Sequence, residues 1–488
     1  KMKPVSPRMA AEEADGAAFR DALLADPRLA RIMSDSERFR AQVLLTEVVQ
    51  CSGTRTNEEN EDCSSSVHET ISRRHAFREG AEYFYPASSV KLFGAVAACV
   101  AIRRLGKIHP GLDMDTPLCF GAVPPSEEIE EEPETETGPK NKKSVVTCLR
   151  RELVKLFIVS DNASFNRCFD IAGPVGIRNW HRKYLPEEDI AVKHRLRDGD
   201  DGDGHENENE NENATLPSVF AKLGNDWVMV LDARVELLKH YGTIKGTASL
   251  RDAKHGTKPE DGYFFIGTSR VTSSGAVEDG PMDCSRKNRA SLRALQNGLR
   301  LVMRLDERLK VDSGVNTPVD VDDLHPVDRA FLCKVASAAP RDIAKFGVTT
   351  AEQSEIETKP NAYPKFFLPG IKRAVKLELQ MDDTEYPEVN PDDDLEANPV
   401  VTITNKLGRA YGFSVDNAHV RVAWADEKDE GKTKTKNKKK FREFFLAAVV
   451  ETNANQTVND DLYEYEETAD PWFEALGETC ARFVWSRE

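Results

Sequence analysis

Only one serine in this chain is followed by a lysine at i+3, in Ser88-x-x-Lys91. If a helix begins at the serine, hydroxyl and ammonium lie one turn apart on one face. The serine then sits at a helix N-terminus, where the macrodipole favours developing negative charge. A lysine that is partly desolvated can hold the neutral amine and take the hydroxyl proton, which makes the serine a nucleophile. Two further short stretches carry chemistry downstream, Ser160-Asp161-Asn162 and Lys406-Leu407-Gly408. The bland alternative for Ser88-x-x-Lys91 taken alone is a capped core helix with a surface lysine. Lys-x-Gly is also weak alone, because it recurs at Lys222, Lys254 and Lys345.

These residues need elements to position them. Pro86 suits a chain entering a helix and Gly106 suits its stop. Leu92 to Ile102 is apolar but too short to span a bilayer, so it reads as a buried helix that holds Ser88 rigidly. Upstream, residues 1–40 look helical, with Phe19, Leu23, Leu24 and Leu29 as apolar positions. Ala41 to Val49 reads as a strand and Ser52 to Ser66 as a loop. His75 to Phe84 returns with strand character. Val145 to Ile158 is apolar at helical spacing and leads into Ser160, and Gly173-Pro174 marks a turn that restarts a helix. Leu292 to Leu305 and Val327 to Ala338 read as helices. Between them, and from Thr349 to Pro399, the sequence reads as irregular and acidic. Val400 to Thr404 is a β-branched strand, followed by Asn405-Lys406-Leu407-Gly408. Strands over His419 to Trp424 and Phe444 to Val450 follow, then a helix from Asp470 to Trp485 with Pro471 in its first turn.

Three low-complexity stretches interrupt this order. Pro124 to Lys143 and Asp198 to Asn213 read as disordered acidic insertions. The second fails the calcium-loop spacing, because Gly202 falls one place early. The lysine-rich run Lys432 to Lys440 sits between strands and reads as a hairpin loop rather than a phosphate-binding patch.

With the elements in place, Ser88-x-x-Lys91, Ser160-Asp161-Asn162 and Lys406-x-Gly408 stand in order, and the last follows a strand. In this the chain resembles the class A β-lactamases and the wider penicillin-recognising serine enzymes, whose signature is S-x-x-K, S-D-N and K-T-G. Asn166, four residues after Asn162, and Ala172-Gly173-Pro174-x-Gly176 extend the match. So does Lys406-x-Gly408-x-x-x-Gly412-x-x-x-Asp416-x-Ala418-x-Val420. The resemblance covers somewhat under half the chain. Ser160 and Lys406 are 246 residues apart, so large insertions lie between them.

The resemblance implies an α+β fold: an antiparallel sheet flanked by helices, joined to a mostly helical domain, with the site in the cleft between. Segments 41–110 and 400–488 would form the sheet domain and 111–399 the helical one, after an N-terminal helical segment over 1–40. It implies that Ser88 is acylated and that Ser160 relays a proton to the leaving nitrogen. Asn162 would bind the substrate amide, while Lys406 and Gly408 would serve its carboxylate. Backbone N–H groups of Ser88 and Arg409 would form the oxyanion hole. Two departures are visible. Leu407 lacks the hydroxyl of K-T-G, and Arg409 is expected to compensate. Class A enzymes also carry a deacylating glutamate on a loop after S-D-N, but Val192 to Asp201 has no E-x-x-L-N. Glu187, Glu188 and Glu206 lie outside that stretch, so no deacylation base is assigned.

The expected function is a β-lactamase-like serine hydrolase that opens an amide through an acyl-enzyme. A D-Ala-D-Ala peptidase or esterase of the same superfamily, and a non-catalytic binding module, stay open. The 488 residues carry a net charge of −16, which argues against a nucleic-acid partner over most of the chain. Nine cysteines include no C-x-x-C pair, so no zinc site is suggested. Cys99 and Cys168 read as core thiols. No cofactor, no membrane span, a monomer and a small-molecule or peptidoglycan-like substrate are expected. A periplasmic or secreted location follows from the resemblance. No leader is visible, and the start Lys1-Met2-Lys3 is compatible with one already removed.

Overall fold

The computed structural model describes residues 7–53, 67–121, 123, 145–186, 188–196, 217–232, 264–272, 274–303, 324–347, 365–381, 399–425 and 439–487. The first elements are helix α1 (Pro7–Ala25), the long strands β1 (Gln42–Gly53) and β2 (Val67–Phe77), and helix α2 (Lys91–Ile108). Short strands β3 (Leu118–Phe120) and β4 (Val145–Thr147) precede helices α3 (Leu149–Ile158) and α4 (Asn162–Tyr184). Strands β5 (Val219–Leu223) and β6 (Asp226–Leu231) are followed by helices α5 (Leu292–Met303), α6 (Pro326–Ser337) and α7 (Leu368–Glu378). The chain closes with β7 (Val400–Asn405), β8 (Gly408–Ala410), β9 (Phe413–Ala425), β10 (Lys439–Glu451) and helix α8 (Asp470–Trp485).

The main sheet is antiparallel, in the order β7-β9-β10-β1-β2, with β8 paired to β9. Its register sets Leu44 opposite Ala447, Ser414 opposite Val450 and Ile403 opposite Val420. Side chains alternate along a strand, and here both faces are covered. Phe444, Leu446, Ala448 and Val450 pack with Phe19 and Leu23 of α1, Ile371 and Val375 of α7, and Phe473 and Leu476 of α8. Phe445, Ala447 and Val449 pack the other way, with Phe93 and Val96 of α2 and Leu295 and Leu299 of α5. That double burial makes Phe444 to Val450 an unbroken apolar run. The expected α+β architecture, an antiparallel sheet between helical layers, is the one observed.

Several local expectations are corrected. The 3-10 turn Ala87–Val90 carries Ser88, and α2 begins only at Lys91. Gly106 does not stop α2, which runs to Ile108. The β2 strand ends at Phe77, and Arg78 has φ 53°, so the strand character expected up to Phe84 is lost at that turn. Val145 to Thr147 is strand rather than helix, because it pairs with Leu118 to Phe120. Residues 368–378, expected to be irregular, form α7. The stretch expected as mostly helical also holds a four-stranded sheet, β4-β3-β5-β6. Residues 124–143 and 198–213 lie outside the described residues, as does Lys432 to Lys440 except for Lys439 and Lys440, which begin β10. Cys99 and Cys168 are fully buried thiols.

Candidate active site

The site starts from the turn that carries Ser88. Ala87 has φ 48°, an uncommon conformation for a residue with a β-carbon. The backbone N–H and the hydroxyl of Ser89 both donate to the Pro86 carbonyl, at 3.1 and 2.5 Å. Ala87, Ser89 and Val90 are buried, whereas Ser88 is only partly so. The turn thus buries its other side chains and leaves Ser88 only partly covered.

One turn on, Lys91 is 0% exposed. Its Nζ donates to Asn162 Oδ1 at 2.6 Å, to the Ser160 carbonyl, and to Ser160 Oγ at 3.3 Å. Ser160 reaches this position with φ 57°, and the Asp161 carboxylate caps α4 by accepting from the Ser164 N–H at 2.5 Å. Burial raises the Asp161 carboxyl, but its hydrogen bonds from Ser164 outweigh that and hold it below the ordinary value. The cap fixes the start of α4, and with it Ser160 and Asn162.

Lys406 arrives from the end of β7 and is 2% exposed. Its Nζ donates to Ser160 Oγ at 2.8 Å and to the Leu407 carbonyl at 3.0 Å. Burial, and then the nearby charge of Lys91, hold the Lys406 ammonium well below the usual lysine value. Two lysines therefore converge on one serine hydroxyl. Among the described residues, Lys406 and Ser160 share a cavity with Phe157, Ile158, Ala338, Pro340, Lys365, Asn405 and Leu407.

Gly408 closes the arrangement. A β-carbon there would lie 2.6 Å from the Ser88 nitrogen, 2.7 Å from the Ser89 nitrogen and 2.8 Å from the Pro86 oxygen. Only glycine lets β8 rest against the Ser88 turn this closely. The next residue, Arg409, departs from expectation in its side chain. Its guanidinium is paired with Asp470, donates to Ser414 Oγ at 3.3 Å, and lies over the rings of Phe366 and Tyr465 at 4.3 and 5.2 Å. That engagement turns it away from the substrate-carboxylate role expected for it. Leu407 packs against the apolar core beneath the sheet.

The loop around Leu196, where no deacylation base is assigned, is anchored by hydrogen bonds. Asn166 Nδ2 donates to the Leu196 carbonyl at 2.7 Å, and the Leu196 N–H donates to Asn166 Oδ1 at 2.8 Å. Asp170 pairs with Arg195. Glu188 accepts from Asn297 at 2.6 Å and Asp189 from Arg289 at 2.8 Å. Glu187 and Glu206 lie outside the described residues.

Sequence reasoning missed a polar cluster behind Lys406. Asn405 Nδ2 donates to Asp416 Oδ1 at 2.9 Å, and Lys365 Nζ donates to Asn405 Oδ1 at 2.9 Å. Burial pushes Asp416 up to about 6. Asp416 stood in the motif match, but no short-range signal marks Lys365. Among the described residues, no group of three or more His, Cys, Asp or Glu side chains is placed to hold a metal ion. No described helix is long and apolar enough to cross a membrane.

No family model matches the chain, and no curated protein matches it. Among solved structures, the chain is similar to a representative class A β-lactamase from Bacteroides cellulosilyticus, with 10% identity, 98% of this chain and 99% of that one covered, and a TM-score of 0.38. It is similar to a structure described as PBP-A, at 10% identity, 100% and 98% coverage and a TM-score of 0.37. A β-lactamase from Sphaerobacter thermophilus matches at 10% identity, 96% and 97% coverage and a TM-score of 0.36. At these TM-scores the likenesses carry no weight for chemistry, which rests on the residues above.

Proposed function

We propose that this chain is a serine acyl-transfer enzyme of the β-lactamase type, opening an amide through a covalent acyl-enzyme on Ser88. The observation that carries the reading is that Lys91, one turn along the chain from Ser88, and Lys406 both donate to the Ser160 hydroxyl. Ser88 Oγ adds to the amide carbonyl carbon, and its proton passes to Lys91. The developing oxyanion takes hydrogen bonds from the backbone N–H groups of Ser88 and Arg409. The carbon–nitrogen bond then breaks, and the nitrogen receives a proton relayed from Lys91 through Ser160. Asn162 orients the substrate amide and Lys91 together. Lys406 gives a substrate carboxylate its counter-charge. Water releases the acyl group and restores Ser88. The substrate is a small β-lactam or peptidoglycan-like amide, the working form a monomer, and the location periplasmic or secreted.

A second reading is a D-Ala-D-Ala peptidase or esterase on the same machinery. Leu196 favours it: Asn166 clamps the loop at a residue that has no carboxylate, so acyl release has no assigned base. A fluorescent penicillin, a chromogenic cephalosporin and a D-Ala-D-Ala peptide separate the cases. Cephalosporin turnover that is lost in Ser88→Ala supports the first reading. Peptide turnover with a long-lived penicillin adduct supports the second. No adduct and no turnover in folded protein overturns both and leaves a binding module.

A further inference from the structure

The cluster behind Lys406 deepens the proposed function and rests on it. Lys365 lies just before α7. Its ammonium is enclosed, although the residue as a whole is only partly buried. It donates to the Ala336 carbonyl near the end of α6 at 3.0 Å, to the Ile403 carbonyl on β7 at 3.2 Å, and to Asn405 Oδ1 at 2.9 Å. A lysine ammonium has three protons, so these acceptors use all of them and none is left for a substrate. Ser337 and Thr404 add a hydroxyl–hydroxyl bond of 2.6 Å across the same junction. Lys365 thus ties α6, β7 and Asn405 together beside Lys406, on the cavity that also holds Ser160.

Among the described residues, the charges that act on this tie are these. Lys365 faces Asp416 on β9 and Asp342 in the turn Pro340–Phe346. Lys406 faces Lys91, Asp416 and Lys365. Like charges enclosed together cannot all keep their protons. Lys365 has three carbonyl-type acceptors, which favour its charged form. Lys406 has one carbonyl and one hydroxyl, and the hydroxyl can equally donate. Of the two, Lys406 is the one able to give up its proton and remain hydrogen-bonded.

We propose that Lys365 is a positioning residue that makes the charge on Lys406 conditional: Lys406 is a neutral amine in the empty site and gains its proton when an anionic substrate group settles beside it. The enclosure holds Lys365 to about 8, so its own charge is present through the neutral range. An arriving carboxylate supplies the opposite charge that lets Lys406 protonate. Capture of an anionic substrate is then coupled to proton uptake.

The test is the titration of Lys406 in the full chain with 13C-labelled lysine, followed by NMR and assigned by the signal lost in Lys406→Arg. Lys365→Met and Lys365→Gln remove the charge, and Lys365→Arg keeps it. The neutral variants are expected to raise the Lys406 midpoint by about one pH unit, the scale of a nearby like charge at intermediate dielectric. Lys365→Arg is expected to leave it in place. A midpoint unmoved in either folded neutral variant overturns the proposal, because a purely structural tie would lower stability without shifting this titration. In a Ser88→Ala background, calorimetry with benzylpenicillin in buffers of different ionisation heat is expected to read about one proton taken up per site near neutral pH, and clearly less after Lys365→Met. Equal uptake in both backgrounds also overturns it. If the penicillin does not bind at all, the acylation reading fails, and the NMR titration still decides the role of Lys365.

Discussion

Gly408→Ala is the most direct probe of how the nucleophile turn is built. Its new β-carbon would sit 2.6 to 2.8 Å from three backbone atoms, those of Ser88, Ser89 and Pro86. Ordinary contact begins near 3.4 Å, so the strand and the turn must separate by roughly 0.8 Å. None of the three atoms can swing aside as a side-chain tip could. The shift falls on the Ser88 N–H and on β8, the two sources of the proposed oxyanion donors. A misplacement of about 1 Å in such a site costs on the order of 100-fold in rate, or about 2.7 kcal/mol of barrier. Overpacking also lowers stability by roughly 1–3 kcal/mol. The assay is single-turnover acylation by a fluorescent penicillin, read as intact mass, with thermal melts alongside. Gly176→Ala in α4 is the control, because its β-carbon would meet nothing within 4 Å. It is expected to gain roughly 0.4–1 kcal/mol without changing acylation. A folded Gly408→Ala protein that acylates within about threefold of its parent would refute the packing argument.

Three further outcomes follow from the same geometry. Lys91→Met is expected to slow acylation by about 10²–10⁴-fold and to cost about 1–3 kcal/mol of stability, since it removes the donor to Asn162 Oδ1 and the Ser160 carbonyl; unchanged acylation contradicts its role as base. His181 is buried edge-on against Phe93, and burial lowers it from 6.5 to about 3. The unfolded chain therefore binds this proton first, and stability falls as pH drops from 6.5 towards 3. His181→Phe is expected to remove on the order of 3 kcal/mol of the loss between about pH 7 and pH 4 in urea melts, and an equal loss in both proteins sinks the assignment. Asn166→Ala breaks both bonds to the Leu196 backbone and is expected to cost about 1–3 kcal/mol and to speed protease cleavage within residues 188–196. Unaltered protection there would mean the clamp does not hold the loop.

The parts of the site that were legible in the sequence are those set by short-range rules. Ser88 and Lys91 are one turn apart, and the β-branched run Val400 to Thr404 leads through Asn405 into Lys406. What failed depended on distant partners. Val145 to Thr147 merges with the apolar period of α3 and becomes a strand only because β3 offers it an edge. The hairpin of β5 and β6 carried a usable signal, Gly224-Asn225 between two β-rich runs, with Gly224 at φ 64°. The α7 helix lies within the stretch Thr349 to Pro399 that was expected to be irregular. Pro369 occupies the first turn, where its missing N–H is harmless. Gly370 is there for contact, since a β-carbon would fall 1.8 Å from the Glu474 carbonyl of α8. Arg409 was misjudged for the same reason: its partner Asp470 lies 61 residues away and nothing local announces it. Lys365 was invisible because its three acceptors come from α6 and β7 rather than from neighbouring sequence.

The central claim is that Ser88 is the acylated nucleophile. Peptide mapping by mass spectrometry after brief exposure to benzylpenicillin tests it most directly. The account expects the adduct on the peptide containing Ser88, at Ser88 itself, and none in Ser88→Ala. An adduct on another residue, or none in folded parent protein, would contradict it.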